Sequence, residues 1–300
     1  MNLLFFLFLI FQTCFPSAIT FELNGGRFGD CLSCYTKAKY FSCVHKLPLY
    51  YTRFTYSDQL TLHAYEAEYT KDSAAQFDAI IRVNSDADIK NNKDKNVLFV
   101  SHFYSQTPGL YEYGFQDKVF ATELKKMLTP LAPMPLIEKK EGTISVAVHV
   151  RKGGGFDKPL SSSQIYKKYQ YADQQWPTKF PPDQFYLDQI MTLKKLVGSD
   201  ILIIYLFTDD PNPAALAERY QRYLDDPTIQ FVYRENNSHD TKIVEDFYIM
   251  SQCDCLIRST SLFAKAAQLL GNHTIIMYPI VGTWDKDKVI INPAGIIIRD

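Results

Sequence analysis

The feature that most narrows what this chain of 300 residues can become is an alternation running through its second half. Short runs of β-branched and apolar residues, Ile144 to Val150, Ile201 to Phe207, Ile229 to Tyr233, Cys255 to Arg258 and Thr274 to Tyr278, read as strands. Segments with helical spacing separate them. One starts at Asp183, carries Tyr186, Ile190, Leu193 and Val197 on one face, and stops at Gly198; others start at Pro213, Asp240 and Ser259. The first two apolar runs have no polar alternation and read as fully buried. Strands alternating with helices predict an α/β fold with a parallel, doubly wound sheet. Ligands of such sheets lie outside the carboxyl ends of the strands, so the residues that follow each strand carry the functional question.

Three of those edges are chemically rich. The strand from Ile144 ends in His149, Arg151 and Lys152, followed by Gly153, Gly154, Gly155 and Asp157. Glycines let a backbone approach a ligand closely, and a fixed guanidinium matches phosphate oxygens, so this edge reads as an anion site. The next strand ends in Thr208, Asp209, Asp210 and Pro211, and the fourth in Ser259, Thr260 and Ser261. Arginine and a helix amino terminus suit a diphosphate, hydroxyls add donors, and a carboxylate accepts two hydrogen bonds from the edge of guanine. The alternative for Asp209 or Asp210 is a helix cap.

The first half opens with a strand at Ile19 to Leu23 and a glycine turn, Asn24-Gly25-Gly26-Arg27-Phe28-Gly29-Asp30, leading into a helix through Cys34, Ala38 and Phe41. Strand, glycine turn and helix start form an anion cradle or, alternatively, a tight turn with no ligand. The dinucleotide fingerprint Gly-x-Gly-x-x-Gly is absent. Further strands are expected at Leu49 to Thr55, Ala79 to Val83 and Val97 to Val100, a polar loop at Asn84 to Lys95, and a helix at Phe115 to Leu128. His102, after the third of these strands, sits at a substrate-facing edge, although a lone histidine is more often structural. Pro130, Pro133 and Pro135 mark a linker within Thr129 to Gly142. The expected organisation is therefore an amino-terminal lobe over 19–137 and a carboxyl-terminal lobe over 143–300.

Met1 to Phe15 is almost wholly apolar and precedes Pro16, Ser17 and Ala18, the pattern of a cleaved secretory signal or short anchor over residues 1–18. That places the protein in the secretory pathway or exported, with membrane contact only through this segment if uncleaved. Cys31, Cys34, Cys43, Cys253 and Cys255 remain, and a Cys31 to Cys34 disulfide is one option in an oxidising compartment. Asn236-Asn-Ser and Asn272-His-Thr are glycosylation sequons in a eukaryotic host. A net charge of −1 argues against a nucleic-acid partner, and no set of residues has metal-ligand spacing.

His149-Val-Arg-Lys, Phe207-Thr-Asp-Asp-Pro and the stretch from Asp246 through Cys255-Leu-Ile-Arg-Ser-Thr-Ser-Leu-Phe263 resemble the three ordered motifs of the GDP-fucose-dependent α1,2-, α1,6- and protein O-fucosyltransferase superfamily. The glycine turn resembles that superfamily's amino-terminal Gly-x-Leu-Gly-Asn-Gln turn. The resemblance implies a GT-B-like fold of two Rossmann-like lobes with mainly parallel sheets, the nucleotide sugar bound mainly by the carboxyl-terminal lobe. It also implies an inverting transfer of fucose to a glycan or protein acceptor. No cofactor or metal is implied beyond the donor GDP-fucose. By position, Arg151 and Lys152 would hold the diphosphate and His149 would border the nucleotide. Asp209 and Asp210 would lie at the guanosine, while Ser259, Thr260, Ser261 and Phe263 would meet phosphate and base. Gly25, Gly26 and Gly29 would close on the donor, and Asp30 and Asp157 are the nearest candidates for the base. Lys152 stands where the family has a second arginine, Gly153 to Gly155 displace its acidic residue, and Asp30-Cys31 replaces its Asn-Gln pair. A nonenzymatic GDP-sugar or glycan-binding protein on the same fold remains an alternative, as does, more distantly, a thiol hydrolase using Cys31 with His102 or His149.

Overall fold

The computed structural model describes residues 17–108, 110, 117–152, 175–198, 201–235, 242–285 and 288–299. Residues 1–16, over which a signal or anchor was expected, Gly153 to Gly155, Asp157, the first sequon and Asp240 lie outside the described residues. The chain divides into two compact units, Met1–Leu131 and Ala132–Asp300.

The amino-terminal unit is organised on β1 (Ala18–Phe21), α1 (Phe28–His45), the short pair β2 (Tyr50–Tyr51) and β3 (Ala67–Glu68), α2 (Lys71–Ala75), β4 (Ala79–Val83), α3 (Asp86–Lys90), β5 (Val97–Ser101) and α4 (Lys118–Met127). β5 lies between β1 and β4, and all three are parallel. Ser17 and Ala18, expected to leave with the leader, belong to this fold: both are buried, and the Val97 amide donates to Ser17 Oγ at 3.2 Å. The strand expected over Leu49 to Thr55 shrinks to Tyr50–Tyr51, paired with Ala67–Glu68. Phe54 accounts for the difference, because its ring packs 6.4 Å from both Phe21 and Phe28 instead of continuing a ladder. Asn84 to Lys95, expected to be loop, contains α3.

The carboxyl-terminal unit runs β6 (Thr143–Val150), α5 (Gln175–Lys179), α6 (Asp183–Val197), β7 (Ile201–Thr208), α7 (Pro213–Leu224), β8 (Ile229–Tyr233), α8 (Ile243–Gln252), β9 (Cys255–Arg258), α9 (Leu262–Leu270) and β10 (Ile275–Pro279), then β11 (Gly282–Asp285), β12 (Lys288–Ile291) and β13 (Ala294–Ile298). Its sheet has the order β13-β10-β9-β6-β7-β8, parallel except for β13. This is the α/β, mainly parallel class read from the sequence. Val146, Val148, Leu202, Ile204 and Ile257 pack with Tyr186, Ile190, Leu193 and Tyr220 in one core. β6 is buried over its last six residues, as its unbroken apolar run predicts, but β7 is not fully buried. Leu202, Ile204 and Leu206 face that core, whereas alternate residues of β7 are only half-covered. The carboxyl-terminal hairpin and β13 were not foreseen. No described helix is long and apolar enough to cross a membrane.

Candidate nucleotide-binding edge

β6 is where the carboxyl-terminal sheet reverses direction. β7 and β8 extend it on one side, and the chain then crosses to place β9 and β10 on the other. Such a reversal leaves a crevice at the carboxyl edge, the usual ligand position in open α/β sheets. Strand register aligns the three motifs there: His149 pairs with Phe207 on one side and Arg258 on the other, and Val150 pairs with Thr208. The residues that follow are Arg151-Lys152, Asp209-Asp210 and Ser259 to Ser261, all at one end of the sheet.

Asp209 links the first two motifs. Its Oδ1 accepts from the Lys152 amide at 2.6 Å, and its Oδ2 lies 3.3 Å from Arg151 Nε, with both side chains only 10% exposed. The Arg151 guanidinium stands 5.8 Å over the Phe180 ring. Asp210 serves the following turn instead. Its Oδ1 accepts from the Asn212 amide at 2.8 Å, and Asn212, not either aspartate, caps α7 by accepting from Ala215 at 3.0 Å. Pro213 at the first helical position needs no donor there.

Lys152 turns its ammonium onto Asp183 Oδ1. The same carboxylate accepts from Arg219 Nη2 and the Tyr220 hydroxyl, each at 2.9 Å. Burial alone would raise the Asp183 pKa, but Lys152, Tyr220 and Arg219 together hold it below the ordinary value. Asp183, legible in sequence only as the start of α6, is thus the counter-charge of Lys152.

On the other side of β6, His149 is buried with its ring 5.8 Å from Phe263, which is itself 5.8 Å from Phe247. The histidine borders an aromatic layer. Ser259 is fully buried beside the Tyr186 phenol, whose pKa burial pushes well up. Thr260 is fastened to α5, its amide donating to the Thr178 carbonyl and the two hydroxyls bonding each other, both at 3.0 Å. Ser261 is the N-cap of α9 but makes no side-chain capping bond, so the first-turn amides and the helix dipole face the same edge as Arg151. Arg258 had no role in the sequence reading. It is buried, donates to Gln268 Oε1 at 2.5 Å and the Ser259 carbonyl at 3.0 Å, and stacks 4.8 Å over Tyr278. A basic residue closing an otherwise apolar strand was the signal available for it.

The glycine turn lies in the amino-terminal unit. Gly25 has φ +76°, and a Cβ on Gly26 would come within 2.5 Å of the Asp30 side chain. Asp30 Oδ2 accepts from the Arg27 amide at 3.1 Å, which secures the start of α1. Gly29 is buried within the first turn of that helix. Cys31 and Cys34 are free, not bridged, and burial pushes both thiols up to about 11. His102 is also committed: Nδ1 accepts from the Tyr104 amide and Nε2 bonds Asn84 Oδ1, both at 3.2 Å. Protonated thiols and an occupied imidazole leave no Cys31–His102 dyad. Among the described residues, no three His, Cys, Asp or Glu side chains converge as metal ligands would.

No protein-family profile matches the chain, and no curated protein matches it by sequence. Solved structures do resemble it. The structure of POFUT1 in complex with GDP-fucose is 12% identical, with 87% of this chain and 96% of that one covered and a TM-score of 0.48. The fucosyltransferase NodZ from Bradyrhizobium is 13% identical, with coverage of 95% and 99% and a TM-score of 0.46. NodZ alpha-1,6-fucosyltransferase soaked with GDP-fucose gives 13% identity, coverage of 95% and 100%, and a TM-score of 0.44.

Proposed function

We propose that the chain is an inverting, metal-independent glycosyltransferase that moves fucose from GDP-fucose to a glycan or protein acceptor in the secretory pathway. The observation that carries this reading is the convergence of Arg151-Lys152, Asp209-Asp210 and the Ser259 to Ser261 helix start at the reversal point of the sheet. In the reaction, an acceptor hydroxyl oxygen attacks the sugar's anomeric carbon, the bond from that carbon to the diphosphate oxygen breaks, and GDP leaves with its electron pair. Arg151 and the first-turn amides of α9 are suited to the charge that develops on the diphosphate. Asp209 positions Arg151, and Asp210, although its Oδ1 accepts from the Asn212 amide, offers its second carboxylate oxygen to the guanine edge. The acceptor proton passes to a base, for which Asp30 and Asp157 are the candidates; Asp30 already serves the Arg27 amide, and Asp157 lies outside the described residues.

A second reading, a GDP-sugar or glycan-binding protein without turnover, is favoured by one observation: Lys152 spends its charge on Asp183. The deciding experiment measures GDP binding by calorimetry and GDP release from GDP-fucose, GDP-mannose and UDP-sugars, for wild type and Arg151→Ala. GDP-fucose-selective release, with GDP binding roughly 10- to 100-fold weaker in the variant, is expected from loss of one charge-assisted contact. Binding without release, with an acceptor panel present, supports the second reading; a folded protein that binds no guanine nucleotide ends both. Activity lost to a chelator and restored by manganese would remove the metal-independent mechanism.

A further inference from the structure

The second glycosylation sequon, Asn272-His273-Thr274, forms the turn from α9 to β10. Its neighbours fasten that turn on both sides. His273 is fully buried, with Nδ1 2.8 Å from the Cys253 carbonyl. The Thr274 amide donates to the Asp254 carbonyl at 2.7 Å, and its hydroxyl donates to the same oxygen at 3.1 Å. Arg299 closes the turn from β13: its Nη1 donates to the Gly271 carbonyl at 3.0 Å and its amide to the Thr274 carbonyl at 2.8 Å. Between these anchors Asn272 stands exposed, and its side-chain amide makes no hydrogen bond to any described residue. A held backbone thus presents an uncommitted amide to solvent.

The turn precedes β10, which runs parallel to β9, so Asn272 and Asp254 mark the amino edge of the sheet and Ser259 to Ser261 its carboxyl edge. The five residues from Asp254 to Ser259 span roughly 16 Å of extended chain. A bulky group on Asn272 therefore leaves the nucleotide edge clear. What it reaches is the end of β13, the outermost strand. Ile298 pairs with Ile275, three residues from Asn272, and Ile296 and Ile298 are 46% and 64% exposed. An open strand edge with exposed isoleucines pairs readily with another chain unless it is covered. Resting on the secretory reading above, we propose that Asn272 carries an N-linked glycan and that this glycan shields the outer edge of β13. In the transfer, the Asn272 amide nitrogen bonds to the anomeric carbon of an oligosaccharide carried on a lipid diphosphate. The bond from that carbon to the diphosphate oxygen breaks, the lipid diphosphate leaves with the electron pair, and one amide proton passes to a base of the host transferase. Because Asp254 holds the Thr274 amide and hydroxyl once β10 pairs with β9, the transfer takes place before that pairing forms.

The test translates the full chain with eukaryotic microsomes, once with its own leader and once with a standard secretory signal in place of residues 1–16. Both carry Asn236→Gln, which leaves Asn272 in the one remaining sequon. Every imported copy is expected to show a mobility shift that an endoglycosidase removes and that Asn272→Gln abolishes. Protease protection reads import separately. Exclusion of the native chain, with modification of the substitute-signal copy, would remove the secretory reading and leave Asn272 a competent site; an imported copy left unmodified at Asn272 overturns the proposal. Light scattering on the secreted protein then compares the glycosylated form, the enzymatically deglycosylated form and Asn272→Gln. Both sugar-free forms should self-associate several-fold more, and Ile298→Lys, at an exposed position on the same edge, should reverse the gain. Equal association of glycosylated and sugar-free forms would overturn the shielding. GDP binding should be the same in all forms; a glycan that altered it would overturn its placement away from the nucleotide edge.

Discussion

At the scale of single residues, the glycine turn separates two reasons for glycine. Gly25 is needed for its backbone, φ +76° with open space where a side chain would go; Gly26 is needed for space, because Asp30 Cβ and Cγ both lie 2.5 Å from where its own Cβ would stand. Alanine at Gly25 should cost about 1 kcal/mol through conformation alone. Alanine at Gly26 should cost about 1–3 kcal/mol, since it displaces the carboxylate that holds the Arg27 amide at the start of α1. Urea unfolding of the two variants checks this ranking. Asp30→Asn in the Gly26→Ala background should then add less than it does alone, as expected for two changes acting on one contact. Equal losses for the two glycine variants, or full additivity, would show that the Gly26–Asp30 approach is not what the turn depends on.

Elements carry the next prediction, because Asp183 at the head of α6 binds Lys152 from the end of β6 and Arg219 and Tyr220 from α7. Asp183→Asn should lower the unfolding midpoint by removing a charge that three donors share, at a cost of about 1–3 kcal/mol. It should also free Lys152, and GDP should then bind roughly 3- to 10-fold more tightly, the gain shrinking as salt rises. GDP affinity that falls or stays level would show that Lys152 takes no part in anion binding. This contact explains what the sequence could and could not reveal. Strands β6 to β10 were legible because parallel strands covered by helices require continuous apolar runs, and the carboxyl-edge rule then singled out Arg151, Asp209 and Ser259 from the sequence alone. The pairings among these side chains were not legible, since Asp209 with Lys152 and Asp183 with Lys152 join positions distant in the chain and depend on strand register. The short β2 was misjudged for a related reason: its aromatic alternation serves the packing of Phe54, not a ladder.

For the molecule as a whole, a buried histidine and a half-buried aspartate of the carboxyl-terminal unit set opposing responses to acid. His273 is fully buried, its Nδ1 against the Cys253 carbonyl at 2.8 Å, and burial lowers its pKa from the usual 6.5 to about 4, with Arg299 adding to the effect. As pH falls below 6.5, the unfolded chain takes up this proton while the folded chain does not, so stability is lost down to about pH 4, by roughly 3 kcal/mol. Asp246 is shifted the other way. Burial raises its pKa from 3.8 to about 6 despite Arg234 Nη2 at 2.7 Å. Here the folded chain takes the proton first, so stability is gained as pH falls from about 6 toward 4. Over that shared window the two terms offset, and the wild-type profile should slope less than either group alone requires. Each single variant exposes the other. His273→Gln, which keeps a donor for the Cys253 carbonyl, should become more stable between pH 6.5 and 4.5, whereas Asp246→Asn should become less stable. The quantity to compare is the change in unfolding free energy with pH, taken from urea titrations, because each substitution also shifts the baseline by removing local contacts. Parallel slopes in wild type and His273→Gln would mean that His273 already titrates normally in the folded protein, and that the pocket closed by Gly271 and the Cys253 carbonyl admits water.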